Sequence, residues 1–191
     1  MIPRLVIASR NDDKVTEIES VLTHAGLADT VVRGLDWPEV DETGSTLEEN
    51  ALLKARAVAD VTGLPALGDD TGLEVTALDG RPGVRTARYA GESATYEDNF
   101  RKLLDEMSGI ESREASFRTV VALVFPDGSE IVASGQLDGV IATEARGSFG
   151  FGYDPVFEVA GKTLGEIPED EKNKMSHRAR ALRSLITELG L

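Results

Sequence analysis

Two adjacent aspartates in the segment Gly68-Asp69-Asp70-Thr71-Gly72 have the residue types for metal and proton chemistry. Neighbouring carboxylates repel each other and disfavour a strand, and such a local conflict is expected at functional sites. Successive strand side chains leave opposite faces, so only one of the pair can easily face a given metal while the other supports it from behind. Taken alone, the segment suits an acidic turn equally well. Glu42, in Asp41-Glu42-Thr43-Gly44, would complete a metal site if it met another carboxylate. Asn50 and Lys54 are spaced to share one face of the helix that follows, although solvent is the commoner fate of such a polar pair.

Ser9-Arg10-Asn11-Asp12-Asp13-Lys14 leaves an apolar run and enters a helical stripe. A loop of that kind aims backbone N–H groups and the positive end of the helix dipole at one spot, which suits an anion, and Lys14 adds a full charge. The glycines and Lys-Ser/Thr pair of a P-loop are missing, and a helix start capped by Asn11 with a solvated Lys14 explains the same residues. Phe149-Gly150-Phe151-Gly152-Tyr153-Asp154-Pro155 offers rings on which a base can stack and glycines that allow close backbone approach; a tight turn whose rings plug the core is the competing reading. Ser176-His177-Arg178 places cations against the dipole of the last helix, which points to a ligand that Lys172 could join. A solvated basic turn balanced by Glu169, Asp170 and Glu171 is the alternative.

The elements that position these residues follow from periodicity. Leu5 to Ala8 reads as a strand buried on both faces, and Val15, Ile18, Leu22 and Ala25 as a helix stripe ended by Gly26. Thr30 to Gly34 reads as a short strand, and the acidic stretch to Gly44 as a loop. Ser45 or Thr46 with Glu48 or Glu49 forms a capping box for a helix to Val61, whose buried face is Leu47, Ala51, Val58 and Val61. Leu67 to Leu78 alternates as a strand, and Tyr96 to Met107 is helical through Phe100, Leu103, Leu104 and Met107. Ser116 to Phe125 and Ser129 to Thr143 form a hairpin about Pro126-Asp127-Gly128, and a last helix runs from near Ser176 to Gly190.

The chain has 191 residues, the size of one domain or one domain with two lobes. Lys and Arg number 20 against 34 Asp and Glu, a net charge of −14, which argues against nucleic acid or anionic lipid as a general partner. Any phosphate must then be met by local cations or a metal. With no cysteine, disulfides, zinc thiolates and cysteine nucleophiles are excluded, and a cytoplasmic location fits. The apolar N-terminal run is too short for a secretory segment or a membrane span.

In this order, Ser9-x-Asn11-x-x-Lys14, Glu42-Thr43-Gly44-x-Thr46-x-x-x-Asn50-Ala51-x-x-Lys54-Ala55, Asp69-Asp70-Thr71-Gly72-Leu73, Ala87-Arg88-Tyr89, Phe151-Gly152-Tyr153-Asp154-Pro155 and Ser176-His177-Arg178 resemble the Ham1/RdgB family of inosine and xanthosine triphosphate pyrophosphatases. Arg10 and Asp12-Asp13 replace the glycine-containing loop common in that family, and Thr71 stands where many members have serine.

The resemblance implies an α/β protein of the Maf-Ham1 type, with an elongated mixed sheet, flanking helices and two lobes around a central cleft, and a cytoplasmic homodimer. It implies Asp70 as proton acceptor and magnesium ligand, Glu42 as a second metal ligand and Asp69 in support. Ser9, Arg10, Asn11, Asp12, Asp13, Lys14, Lys54 and Thr71 would line the triphosphate. Phe151, Gly152, Tyr153 and Asp154 would line base and sugar, and Lys172, His177 and Arg178 the base edge. The implied activity is Mg2+-dependent hydrolysis of ITP, dITP and XTP to the monophosphate and pyrophosphate, clearing deaminated purines from the nucleotide pool. A Maf-like pyrophosphatase with another base preference and a nucleotide sensor without turnover are the rival readings.

Overall fold

The computed structural model describes residues 2–190; Met1 and Leu191 lie outside the described residues. The first apolar run forms β1 (Leu5–Ile7), fully buried, and α1 (Asp12–Ala25) follows a short loop. Asn11 caps α1, and Gly26, at φ 63, ends it in the left-handed conformation that glycine adopts without a Cβ penalty. The inner stripe is Val15, Ile18, Val21 and Leu22, whereas Ala25, expected inside, is exposed. The expected strand at 30–34 contracts to β2 (Val31–Val32), parallel to β1 through Leu5↔Val31 and Val6↔Val32.

Helix α2 (Leu47–Thr62) starts on the capping box of Thr46 and Glu49. Its inner face is Leu47, Asn50, Ala51, Ala55, Val58 and Ala59. Val61, expected there, is exposed, because the 100° step of the helix carries it off the face centred on Ala51 and Ala55. Strand β3 (Ala66–Val75) lies parallel to β1 through Val6↔Ala66 and Ile7↔Leu67. The alternation that predicts a strand to Leu78 stops at Val75; Thr76–Leu78 winds into a 3-10 turn, and Asp79 and Gly80, both at positive φ, reverse the chain. That reversal lays β4 (Pro82–Gly83) antiparallel on β3.

Thr95 caps α3 (Tyr96–Glu106) in a second capping box with Asp98. β5 (Glu114–Val124) and β6 (Glu130–Ile141) make the expected hairpin with ends shifted by one or two residues, its turn closed by Phe125 N–H to Ser129 O. β7 (Phe157–Val159) and β8 (Lys162–Thr163) pair antiparallel, and α4 (Glu169–Met175) precedes α5 (His177–Glu188). The sheet is mixed and eight-stranded, in the order β2-β1-β3-β5-β6-β7-β8, with β4 on β3.

Residues divide into two compact units. Unit 1 holds 1–70, 119–135 and 177–191, and its core packs Leu5, Ile7, Ile18 and Leu22 with Leu123, Leu182 and Leu185. Unit 2 holds 71–118 and 136–176, and its core packs Leu73, Leu103, Met107, Phe117, Phe157 and Leu164. No helix among the described residues is long and apolar enough to cross a membrane.

Candidate active site

β1 ends where Ala8 N–H donates to Leu67 O, and β3 continues past it, carrying Asp69 and Asp70 to the loop that enters α1. Strand alternation then sends the two carboxylates to different partners, as their adjacency predicts. Asp69, 1% exposed, meets Lys14 Nζ of α1 at 3.3 Å and receives a hydrogen bond from Arg178 Nε of α5 at 3.2 Å. Asp70 accepts from Asn50 Nδ2 of α2 at 3.1 Å, and its Oδ1 stands 3.9 Å from Lys54 Nζ. Lys54 also donates to Glu42 Oε1 at 2.5 Å, so one ammonium gathers the Glu42 and Asp70 carboxylates.

Two glycines set this arrangement. A Cβ on Gly68 would meet Ala51 O of α2 at 2.2 Å, so its absence lets α2 lie against β3 closely enough for Asn50 to reach Asp70. The Asn50 amide is oriented by Gly44 N–H, which donates to its Oδ1 at 2.8 Å; a Cβ on Gly44 would fall 2.6 Å from that same oxygen.

The electrostatics separate the two aspartates. Burial works to raise the Asp69 carboxyl, but Lys14, Arg178 and Lys54 outweigh it and hold the group well below the usual carboxylate range. For Asp70 burial wins: the carboxyl is raised, with Glu42 adding to the shift and Lys54, Lys14 and the Asn50 hydrogen bond opposing it. Lys54 is raised because the attraction of Asp69, Asp70 and Glu42 exceeds the burial that would lower it. Asp69 is thus a fixed anion and Asp70 the more basic carboxylate. Among the described residues, no three His, Asp or Glu side chains converge as a ready metal cage.

The loop Ser9 to Lys14 is organised around its own cap. Asn11 Oδ1 accepts from Asp13 N–H at 3.0 Å and Lys14 N–H at 3.2 Å, occupying amides that an anion would use. Ser9 Oγ accepts from Asn11 N–H, and the Arg10 guanidinium donates to Trp37 O at 2.6 Å, holding the loop that leads to Glu42. Asp12 and Asp13 are exposed in the first turn, complementing the helix dipole.

His177 and Arg178 are buried rather than lying on a solvated basic turn. His177 Nδ1 shares a hydrogen bond with Thr119 Oγ1 at 2.6 Å, and Arg178 Nη1 donates to Glu17 Oε2. Glu17 was not among the sequence candidates. Its position one helical turn after Lys14 is the only sign of it in the sequence.

In unit 2, Asp154 Oδ2 accepts from Phe151 N–H at 2.9 Å and from Lys172 Nζ at 2.8 Å, and the Lys172 ammonium lies 5.1 Å from the centroid of the Phe151 ring. Gly150, at φ 72, has no room for a side chain, since a Cβ would sit 1.9 Å from Asp154 Oδ2. Phe149 is 47% exposed, Phe151 and Gly152 are half-buried, and Tyr153 is buried with its hydroxyl donating to Thr86 O at 2.8 Å. The Tyr153 ring therefore belongs to the unit 2 core, as the plug reading of this segment holds. Thr71 is half-buried on β3.

A mixed α/β sheet with opposed carboxylates and ammonium groups where a parallel strand pair ends is the class of protein these features define. The Ham1 family model matches residues 5–188, and the chain belongs to that family. It is 50% identical over 194 residues to the dITP/XTP pyrophosphatase of Geobacter sulfurreducens, covering 98% of this chain and 96% of that protein. It is 48% identical over 189 residues to the dITP/XTP pyrophosphatase of Symbiobacterium thermophilum, covering 97% and 94%. Its fold matches that of a HAM1 protein from Coxiella burnetii with a TM-score of 0.85 at 40% identity, covering 99% of each chain. The Staphylococcus aureus Ham1 protein matches with a TM-score of 0.83 at 37% identity, covering 98% of each.

Proposed function

We propose that this protein hydrolyses dITP, ITP and XTP to the nucleoside monophosphate and pyrophosphate, removing deaminated purines from the nucleotide pool. Its relatives carry the name of that activity over nearly their whole length. The observation that carries the mechanism is the convergence of Glu42 and Asp70 on Lys54.

A hard divalent cation fits this donor set, because Glu42 and Asp70 offer only oxygen and already gather one positive charge. We assign Mg2+ to these two carboxylates, which would hold it through oxygen. Held there, it would supply relief of the negative charge that builds on the phosphate oxygens.

The chain's own residues do the rest. Lys54 and Lys14 orient the phosphates. Asp70 accepts a proton from the water whose oxygen bonds to the α-phosphorus, and the bond from that phosphorus to the bridging oxygen breaks to release pyrophosphate. Asn50 holds the Asp70 carboxylate in one orientation for this step. Asp69, locked by Lys14 and Arg178, fixes the cations around it.

Phe151 and the backbone of Gly152 to Asp154 line the base and sugar. A 6-keto oxygen accepts hydrogen bonds from a donor such as Lys172, whereas the 6-amino group of adenine opposes donor to donor. Unpaired buried donors reject a wrong base strongly. A cytoplasmic homodimer without nucleic acid or membrane partners completes the reading, as the family resemblance implies and the net charge of −14 favours.

A panel of dITP, XTP, ATP and dCTP, with Mg2+ or EDTA, tests it. Pyrophosphate from dITP and XTP only with Mg2+ is expected. Comparable turnover of ATP contradicts the specificity, preference for a pyrimidine favours a Maf-like activity, and saturable binding without product favours a sensor.

A further inference from the structure

Tyr96 is the first residue of α3 and is 41% exposed. The residues that α3 buries are Asn99 and Leu103, and Ala would be the better helix former at an exposed position. The Tyr96 ring centroid nonetheless lies 5.8 Å from that of Phe151, with the planes tilted by 40°. That separation and tilt belong to the range in which two aromatic rings fix each other's orientation.

Phe151 sits between Gly150 and Gly152, at φ 72 and φ 65, in a segment whose backbone is held at Phe151 N–H by Asp154. The hydrogen bond fixes the peptide, and the ring plane is set by what packs against it, the Lys172 ammonium at 5.1 Å and the Tyr96 ring at 5.8 Å among them. A stacking platform costs a ligand less affinity when its plane is set beforehand.

We propose that Tyr96 is a positioning residue that sets the plane of the Phe151 ring, and so tunes recognition of the planar purine base. The inference rests on the reading that Phe151 stacks on the base. Its signature is a change in binding transmitted through Phe151, with the chemistry of phosphate cleavage untouched.

The experiment is a double-mutant cycle read by steady-state kinetics with dITP and Mg2+, using Tyr96→Ala, Tyr96→Phe, Phe151→Ala and the double Ala variant. Tyr96→Ala is expected to raise KM about two- to tenfold, the scale of one aromatic pair, with kcat changed less than about twofold. Tyr96→Phe keeps the ring contact and restores the parent KM. The double variant is no worse than Phe151→Ala, because Tyr96 acts only through that ring. Thermal unfolding of Tyr96→Ala should stay at the parent midpoint, separating this effect from loss of fold. If Phe151→Ala raises KM while Tyr96→Ala does not, or if the two effects add, the inference is overturned and the stacking reading stands. If Phe151→Ala leaves KM unchanged, the stacking reading itself is overturned, and the role of Tyr96 with it.

Discussion

Replacing Arg178 with Met keeps an unbranched side chain in a buried position but removes the guanidinium that joins α5 to β3 and α1. Arg178 donates to Asp69 and Glu17, which are 1% and 6% exposed, so neither carboxylate can turn to water for compensation. Breaking a buried pair by removing one partner costs about 3–5 kcal/mol. Asp69 keeps Lys14 at 3.3 Å, so the lower end, about 3 kcal/mol, applies. At about 2–4 °C per kcal/mol for a chain of this size, the thermal midpoint should fall by about 6–12 °C. Adding Glu17→Gln removes the carboxylate that faced the guanidinium, so the double variant should be about 1–3 kcal/mol more stable than the sum of the single losses. Urea unfolding followed by circular dichroism in metal-free buffer measures all three. A loss below about 1 kcal/mol for Arg178→Met, or strict additivity with Glu17→Gln, would show that the buried network is not what holds α1, β3 and α5 together.

Gly68→Ala should destabilise by about 1–3 kcal/mol, because the new methyl meets the Ala51 carbonyl and forces α2 off β3; chemical unfolding checks this. Gly150→Ala should raise KM for dITP more than it lowers kcat, since the added methyl displaces the Asp154 carboxylate that holds Phe151 and Lys172; steady-state kinetics check this. Asp70→Asn should abolish turnover yet leave the metal-free protein as stable as the parent or more so at pH 7, because burial raises the Asp70 carboxyl and its ionisation therefore opposes folding. The sign follows from proton uptake: between the unfolded and the raised folded pKa the native state holds more protons, so this group's contribution to stability falls as pH rises through that window. The advantage of Asp70→Asn should thus shrink as pH drops below the ordinary carboxylate range, which unfolding at a series of pH values measures.

Local chemistry made much of this legible in the sequence. Asn11, Gly26, Thr46 with Glu49, and the Pro126 to Gly128 turn each satisfy backbone groups within a few residues, and the elements they bound form where expected. The alternation at Asp69 and Asp70 likewise foretold their divergence, because strand geometry fixes it. Features that depend on distant partners were hidden. Glu17 reads as an ordinary solvent-facing helix residue until Arg178, from the far end of the chain, arrives beside it. Val61 fits the helical stripe by spacing alone, but the width of the buried face is set by what α2 packs against. Tyr153 carries the same aromatic-glycine signature as Phe151, and only the Thr86 carbonyl waiting in the core distinguishes a plug from a platform. The short β4, β7 and β8 and the seven-residue α4 lack the length for a periodic signal.

The water that Asp70 activates must leave its oxygen on the α-phosphorus. Single-turnover hydrolysis of dITP in 18O-labelled water, with mass analysis of both products, reads this directly. The account predicts the label in the nucleoside monophosphate and unlabelled pyrophosphate, in wild type and not at all in Asp70→Asn. Label in pyrophosphate or in released orthophosphate would contradict it, because attack would then have occurred at a different phosphorus.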